Sequence, residues 1–505
     1  MKLKSVMVAL SAIGTLAIGG VVFSTDNSVV EVKIGPSLSS NLETQRQQDI
    51  IVILEDQAQL AGADLLTKKE ARGRFVAEEL KKKARMQEPL VAFLKENGFT
   101  FQRFYIANMI AVDNVSVEMI RELAARPDVR KVIANPAIRN VVTPDVGFDG
   151  GEDKGVGIGE NIKSTGAADV WTNQKTRGAG MVVAGQDTGV QWNHPALIRQ
   201  YRGNNGDSVD HSYSWHDAIR SPISGGTNKC GYDTKVPCDD DQHGTHTMGT
   251  MVGDDGGMNQ VGMAPDAKWI ACRNMDAGVG RPSTYLECFE WFLAPYPQGA
   301  DPLTGDPTKA PNVINNSWGC PASENCEGNE FAPVLEALYR AGIMVVVSAG
   351  NAGSACGTIN DQPATHSRWT FSVGAHNHRT GSIASFSSRG PSTLDGEIGP
   401  DLTAPGVDVR STIPGDGYAG SMWSGTSMAG PHVAGAVALL WSAQPSLVGK
   451  VEETVALLES TAVGKTTTQA CGEVPGTDIP NNTFGFGHLN IKAAVEKAVA
   501  GTPTP

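Results

Sequence analysis

The chain has 505 residues, 40% of them apolar and 19% charged, which excludes a disordered chain and a multi-span membrane protein. That length suits three units of ordinary size or one large α/β unit plus a small one. Charge is divided, with 19 Lys and Arg against 16 Asp and Glu in residues 1–140 (net +3) and 22 against 38 in residues 141–505 (net −16). Opposite signs would draw two units of one chain together, and the acidic bulk lacks the clustered cations that a nucleic acid partner requires.

Lys2 and Lys4 precede an apolar run from Ser5 to Phe23, with small residues from Ser24 onward, the layout of a secretory signal peptide over residues 1–24. The competing reading is an uncleaved anchor, against which Ser11, Gly14, Thr15, Gly19 and Gly20 dilute the run. Export is therefore expected, with an extracellular product and no stable membrane association after cleavage. All eight cysteines lie in the acidic part, and an oxidising compartment makes an even count read as disulfides. Short separations invite the pairs Cys230 with Cys238, Cys272 with Cys288 and Cys320 with Cys326, leaving Cys356 with Cys471. Spacing alone leaves the connectivity open.

From Asp49 the pattern reads strand (DIIVIL), a long charged helix from about Ala63 to Asn97, and two strands (FTFQRFY, NMIAVD). A short helix from Val115 to Ala125 and a strand (VRKVIAN) follow. The order β-α-β-β-α-β predicts a small α+β ferredoxin-like domain over residues 49–139. Val141 to Gly166 holds seven glycines, one proline and five acids without a period, which places a linker over residues 140–160. Beyond it, the runs MVVAG, KWIAC, NVINNS and IMVVVSAG alternate with helical segments. They predict an α/β unit over residues 161–500, a parallel sheet with helices on both faces.

Three segments of this unit put a reactive side chain at the end of a regular element. Asp187 follows the strand MVVAG, where open parallel sheets place their sites, although an Asp before Thr-Gly is also an ordinary turn residue. His243 opens HGTHTMGT after three acids. Asp239, Asp240, Asp241, His243 and His246 offer metal ligands, but the zinc-peptidase pattern needs Glu after the first His and a spacing of four, and this segment has Gly244 and a spacing of three. Ser427 starts a helix apolar almost all round, with Pro431 expected in its first turn. A Ser there is commonly only a cap; as a nucleophile it needs a base and an orienting carboxylate.

Asp187 in QDTGV, His243 in HGTHTMGT and Ser427 in GTSMAGPHVAG resemble, in order and context, the active-site motifs of subtilisin-like serine proteases. VVVSAGNAG is similar to that family's oxyanion segment, with Asn351 as the amide donor. The resemblance runs from about Gly159 to Ala500, ending in FGFGHLNIKAAV, and KWIACRNM and NNSWGCP are similar to bacillopeptidase F-like members. It implies a serine endopeptidase acting through an acyl-enzyme on protein and peptide substrates, with residues 49–139 as an inhibitory propeptide and a self-processing cut between about Arg139 and Asn161. His243 would be the base, Asp187 its orienting acid, and the Ser427 N–H and Asn351 the oxyanion donors.

Asn316, Ser317, Trp318 and Gly319 resemble the family's substrate-binding strand, and Ala349 and Gly350 would line the other side of the primary pocket. The resemblance also implies a cis Gln362–Pro363 bond and places Asp361 at the pocket base, where an acid would favour Lys or Arg before the cut bond. Thr247 and Met248 depart from the family's usual Val-Ala, a change of packing rather than chemistry. No cofactor is expected for catalysis. Structural calcium is typical of the family, but the loop Gly253 to Gln260, with Asp254 and Asp255, does not match its usual calcium loop, so no ligands are named. A lipase-like hydrolase is disfavoured because Ala429 breaks Gly-x-Ser-x-Gly and the chain order differs. A peptide-binding pseudoprotease is disfavoured because all four active-site residues are present.

Overall fold

The computed structural model describes residues 27–139, 156–419 and 423–501. The signal peptide expected over residues 1–24 and the stretch 140–155, with most of the expected linker, lie outside the described residues.

The small N-terminal unit contains helices α1 (Asn27–Lys33) and α2 (Pro36–Leu42), strand β1 (Gln47–Leu54), and helices α3 (Lys69–Ala84) and α4 (Glu88–Glu96). Strands β2 (Phe101–Phe104) and β3 (Met109–Ser116), helix α5 (Val117–Ala125), and strands β4 (Val129–Ala134) and β5 (Ile138–Arg139) complete it. Its sheet has the order β2-β3-β1-β4, with β1 antiparallel to both neighbours, which is the split βαβ topology read from the sequence.

Two expectations need correction here. The single helix from Ala63 to Asn97 is instead α3 and α4, joined by a 3-10 turn at Arg85–Gln87. Pro89 at the start of α4 has no N–H for the preceding turn, and buried Gln87 donates its amide to the carbonyls of Phe104 and Met109. Helices α1 and α2, of seven residues each, were too short to show a period, yet Val30, Ile34 and Leu38 are buried against the sheet.

The large unit opens with β6 (Gly157–Ile158), α6 (Glu160–Ser164), α7 (Ala167–Asn173), β7 (Val182–Asp187), β8 (Trp215–Asp217), α8 (His243–Val252) and β9 (Asn259–Gln260). It continues through β10 (Lys268–Arg273), β11 (Met275–Asp276), β12 (Val279–Gly280), α9 (Pro282–Leu293), β13 (Val313–Asn316), β14 (Cys320–Pro321), α10 (Ala332–Arg340) and β15 (Met344–Ser348). It closes with β16 (Asp361–Gln362), β17 (Phe371–His376), β18 (Leu402–Pro405), α11 (Thr426–Ala443), α12 (Val451–Thr461) and α13 (Ile491–Ala500). The linker was expected to run to residue 160, but β6 pairs with β9 at Gly157 and Ile158, so the folded unit begins earlier.

Seven parallel strands form the main sheet in the order β18-β17-β15-β13-β7-β10-β8. Alternate residues serve opposite faces, because side chains along a strand alternate sides. Val183, Val313 and Val346 join a core with α8 and α11, whereas Ala184, Ile314 and Val347 join one with α9 and α10. Both faces are thus covered by helices, as an all-parallel sheet requires. The chain reverses its direction of strand addition between β7 and β13, and a cleft opens there at the carboxyl ends of the strands.

Disulfides join Cys230 to Cys238, Cys272 to Cys288, Cys320 to Cys326 and Cys356 to Cys471. Among the described residues no helix is long and apolar enough to cross a membrane.

The small sheet shares its outer face with the large unit. Ile50, Val52 and Leu54 of β1 point into the small unit's own core, while Ile51 and Ile53 join Phe104 and Tyr105 in a core that continues into Tyr285, Phe289 and Phe292 of α9. Polar contacts fix the orientation. The Glu290 carboxylate accepts the backbone N–H groups of Tyr105 (2.5 Å) and Ile106 (3.0 Å), and Asn135 Oδ1 accepts the Ser283 N–H at the start of α9 (3.0 Å).

Candidate active site

Asp187 is the last residue of β7, and α8 begins against the turn that follows it. A Cβ on Gly244 would fall 2.0 Å from the Gly189 carbonyl oxygen and 3.0 Å from the Asp187 Cβ, so only a bare position lets the helix start this close. Asp239 anchors the entry, accepting the N–H groups of Asp241, Gln242 and Thr245 and the hydroxyls of Thr188 and Thr245. His243 is therefore delivered to Asp187: its Nδ1 lies 2.7 Å from Asp187 Oδ1, which also accepts the Thr188 N–H at 2.7 Å. Burial depresses the His243 pKa, but the charge and hydrogen bond of Asp187, and then Asp241 and Asp239, raise it more, so the net shift is upward.

Ser427 lies in the first turn of α11, a helix buried from Thr426 to Trp441. Pro431 falls in the second turn rather than the first, because the helix begins at Thr426. Lacking an N–H, Pro431 leaves the Ser427 carbonyl without its helical donor, and Ser317 Oγ supplies one at 3.0 Å. That bond ties the segment after β13 to the helix bearing Ser427. Ser427 Oγ donates to the Ser317 carbonyl at 3.3 Å, and among the described residues buried His243 Nε2 has no hydrogen-bond partner.

Asn351 Oδ1 accepts both the N–H and the hydroxyl of Thr426 at 2.9 Å, which assigns its Nδ2 as the donor end. The Ser427 N–H, in the first turn of a helix, has no intrahelical acceptor. These are the two donors expected for an oxyanion.

A cavity of about 240 Å³ adjoins Ser427 and is lined by Ser317, Trp318, Gly319, Gly350 and Asp361, together with Asn351. Ala349 does not line it; it is buried with its N–H on the Val373 carbonyl. Among the described residues, 317–319 belong to no strand ladder. The ladder seen is on the other rim, where Gly280 and Val279 of β12 pair antiparallel with Ile138 and Arg139 of β5. Arg139 reaches the same cavity. The Gln362–Pro363 bond is cis.

Asp240 and His246 beside His243 are engaged elsewhere. Asp240 pairs with buried Arg273 at 3.3 Å, and His246 stacks on Trp423 with its Nε2 on the Val409 carbonyl. The loop at residues 253–260 does not fit a calcium ion, because Arg177 and Arg199 already pair with Asp254 and Asp255 caps its own turn through Gly257, Asn259 and Tyr418.

The sequence reading missed Glu324, Arg139, Thr426 and the β12 rim. Gly278 and Gly280 flanking Val279 were the legible sign of close approach, here by the side chains of Asp241 and Tyr285, and Glu324 lies inside the loop closed by the Cys320–Cys326 bond.

Residues 178–487 match the subtilase family. The chain is 36% identical over 420 residues to Bacillopeptidase F of Bacillus subtilis (strain 168), covering 81% of this chain but 27% of that protein. It is 32% identical over 278 residues to Subtilisin E of the same organism (54% of this chain, 61% of that one). It is 30% identical over 342 residues to Thermophilic serine proteinase of Bacillus sp. (strain AK1), covering 66% and 68% of the two chains.

Proposed function

The chain belongs to the subtilase family, and from that premise we propose that it is a secreted serine endopeptidase, made as a zymogen that cuts itself and then holds its N-terminal unit as an inhibitor. The contact of His243 Nδ1 with Asp187 Oδ1 at 2.7 Å, next to Ser427 at a helix start, carries the reading.

Ser427 Oγ attacks the peptide carbonyl carbon as His243 Nε2 takes its proton, and the C=O π electrons move onto oxygen. The Ser427 N–H and Asn351 Nδ2 stabilise that oxyanion, and the positive end of α11 adds to them. On collapse the C–N bond breaks, and the leaving amine takes the proton from His243. Water then attacks the acyl-enzyme, losing its proton to His243, and Ser427 regains that proton as the acid leaves. Asp187 holds the tautomer and stabilises the imidazolium throughout. Proton carrier, nucleophile and oxyanion donors all come from the chain, so the chemistry calls for no cofactor.

The β5–β12 ladder supports the inhibitor role, since it lays the end of the small unit along the cleft as an extended peptide would lie. Four disulfides and the signal-like leader support secretion.

Treating the purified protein with a serine-directed phosphonate tests the mechanism: labelling on Ser427 with loss of peptidase activity is expected, and brief chelation in the cold should leave activity. Immediate loss on chelation with no serine labelled would overturn it. Ser427→Ala should lower kcat/KM by about five orders of magnitude or more and leave the chain joined through residues 140–160. If that variant still sheds residues 49–139 in a protease-free preparation, self-processing is wrong.

A further inference from the structure

We propose that the cavity beside Ser427 is a two-carboxylate pocket, formed by Asp361 and Glu324, that selects peptides with arginine or lysine on the acyl side of the cut bond. This deepens the peptidase reading and rests on it.

Asp361 arrives from β16, whose pairing with β14 sets Asp361 opposite Pro321. Its side chain packs on the bare backbone of Gly319, where an added Cβ would fall 2.9 Å from Asp361 Oδ2 and 3.1 Å from its Cβ. Glu324 enters from the loop closed by the Cys320–Cys326 bond and lines the same cavity, so both carboxylates belong to one space that ends at the nucleophile. Polar atoms also line it: among the described residues, Glu324 Oε2, Trp318 Nε1 and Ser348 Oγ are buried and have no hydrogen-bond partner.

The charges indicate what kind of occupant. Burial, with the like charge of Glu324 adding in the same direction, raises the Asp361 pKa to about 6. Glu324 is itself raised by burial. Two desolvated carboxylates are costly together, and a guanidinium or ammonium between them removes the repulsion. Arginine fits best, since its planar fork can bond both acids at once. An apolar side chain in the same space would leave the acids unpaired, which is the condition under which a site discriminates most strongly.

The chain already brings a cation here. Arg139, the last described residue of the small unit, lines the cavity, and both its backbone hydrogen bond and its positive charge lower the Glu324 pKa against the effect of burial. Glu324 is the charged group acting on Asp361, and Arg139 acts on Glu324 in turn.

The test uses the self-processed protein, with rates expressed per serine titrated by phosphonate, on matched peptides carrying Arg, Lys, citrulline, Leu or Phe before the cut. Citrulline keeps the shape of arginine without its charge. Arg should exceed citrulline and Leu in kcat/KM by about a hundredfold or more. Asp361→Asn should cut that ratio at least tenfold and Glu324→Gln by a smaller factor, with titratable serine unchanged in both. The Arg to Leu ratio should also fall as pH drops through about 6, where Asp361 gains its proton; both substrates share the same relay, so its own titration cancels. Serine labelling with Leu or Phe cut as fast as Arg, or a preference unchanged in both variants, overturns the pocket assignment alone. No labelling and no cutting overturns the peptidase reading as well.

Discussion

The two units of the chain are stabilised by different means. The large unit closes a helical layer over each face of its own sheet and adds four disulfides. The small unit has no cysteine, and one face of its sheet is completed by α9 of its neighbour. A small unit with part of its core supplied by another surface is less stable alone than docked. That suits a segment that must first hold the cleft and later leave it, whereas a relay that must keep Asp187, His243 and Ser427 aligned needs a scaffold stable by itself.

The contrast can be broken from either side. The largest effect should come from the long covalent tie of the large unit: replacing Cys356 and Cys471 by Ser opens a closure spanning 115 positions and should cost about 5 kcal/mol. The same change at Cys320 and Cys326, six positions apart, should cost about 2 kcal/mol. Denaturant unfolding of the mature large unit measures both, and equal losses would show that loop closure is not what these bonds contribute. Next comes the interface. Glu290→Ala strips the acceptor from two N–H groups of the small unit, and the loss of about 2 kcal/mol or more should weaken inhibition by added residues 27–139 at least about thirtyfold. Asn135→Ala removes a cap from α9 worth about 1 kcal/mol, so inhibition should weaken about fivefold. Inhibition equal to that of the natural pair in both variants would leave the apolar face as the whole of the attachment.

The same contrast explains what could be read from sequence. The parallel sheet was legible because its strands are buried on both faces and therefore apolar without interruption, as in MVVAG and IMVVVSAG. Asp187, His243 and Ser427 were legible because each sits where a regular element ends and small neighbours such as Gly244 permit close approach. Features made by contact between distant segments were hidden. Nothing near Pro431 announces that Ser317 Oγ will satisfy the carbonyl it frees, and Gln87, which breaks the long helix, does so through partners at 104 and 109. Ala349 was placed in the pocket by the resemblance, yet it is buried with its N–H on the Val373 carbonyl, and only Gly350 of the two reaches the cavity. Glu324 went unweighed because an acid in a loop has no local signature until the Cys320–Cys326 bond folds that loop over the cleft.

The smallest predicted effect joins the two units through a single charge. Asp241 raises the His243 pKa, and its carboxylate lies along the β12 rim, where a Cβ on Gly278 would fall 2.7 Å from Asp241 Oδ2. Burial raises the Asp241 pKa, and Arg139 of the small unit is among the charges that act against that rise, so the cation that closes the cleft also acts on the carboxylate that helps hold the imidazolium. Catalysis requires neutral His243, so kcat/KM falls as pH drops through the His243 pKa, which lies above the ordinary imidazole value. Asp241→Asn removes one attraction for the imidazolium and lowers that pKa; the acid limb should therefore move to lower pH while the plateau above it stays nearly level. Asp239 acts in the same direction, but it also anchors the entry to α8, which makes Asp241 the cleaner substitution. Added salt should move the natural enzyme's limb the same way and the variant's limb less, because part of what salt screens has already been removed. A limb that rises, or that stays in place in the variant while responding fully to salt, would show that Asp241 does not act on His243 and that Asp187 with Asp239 sets the relay's titration unaided.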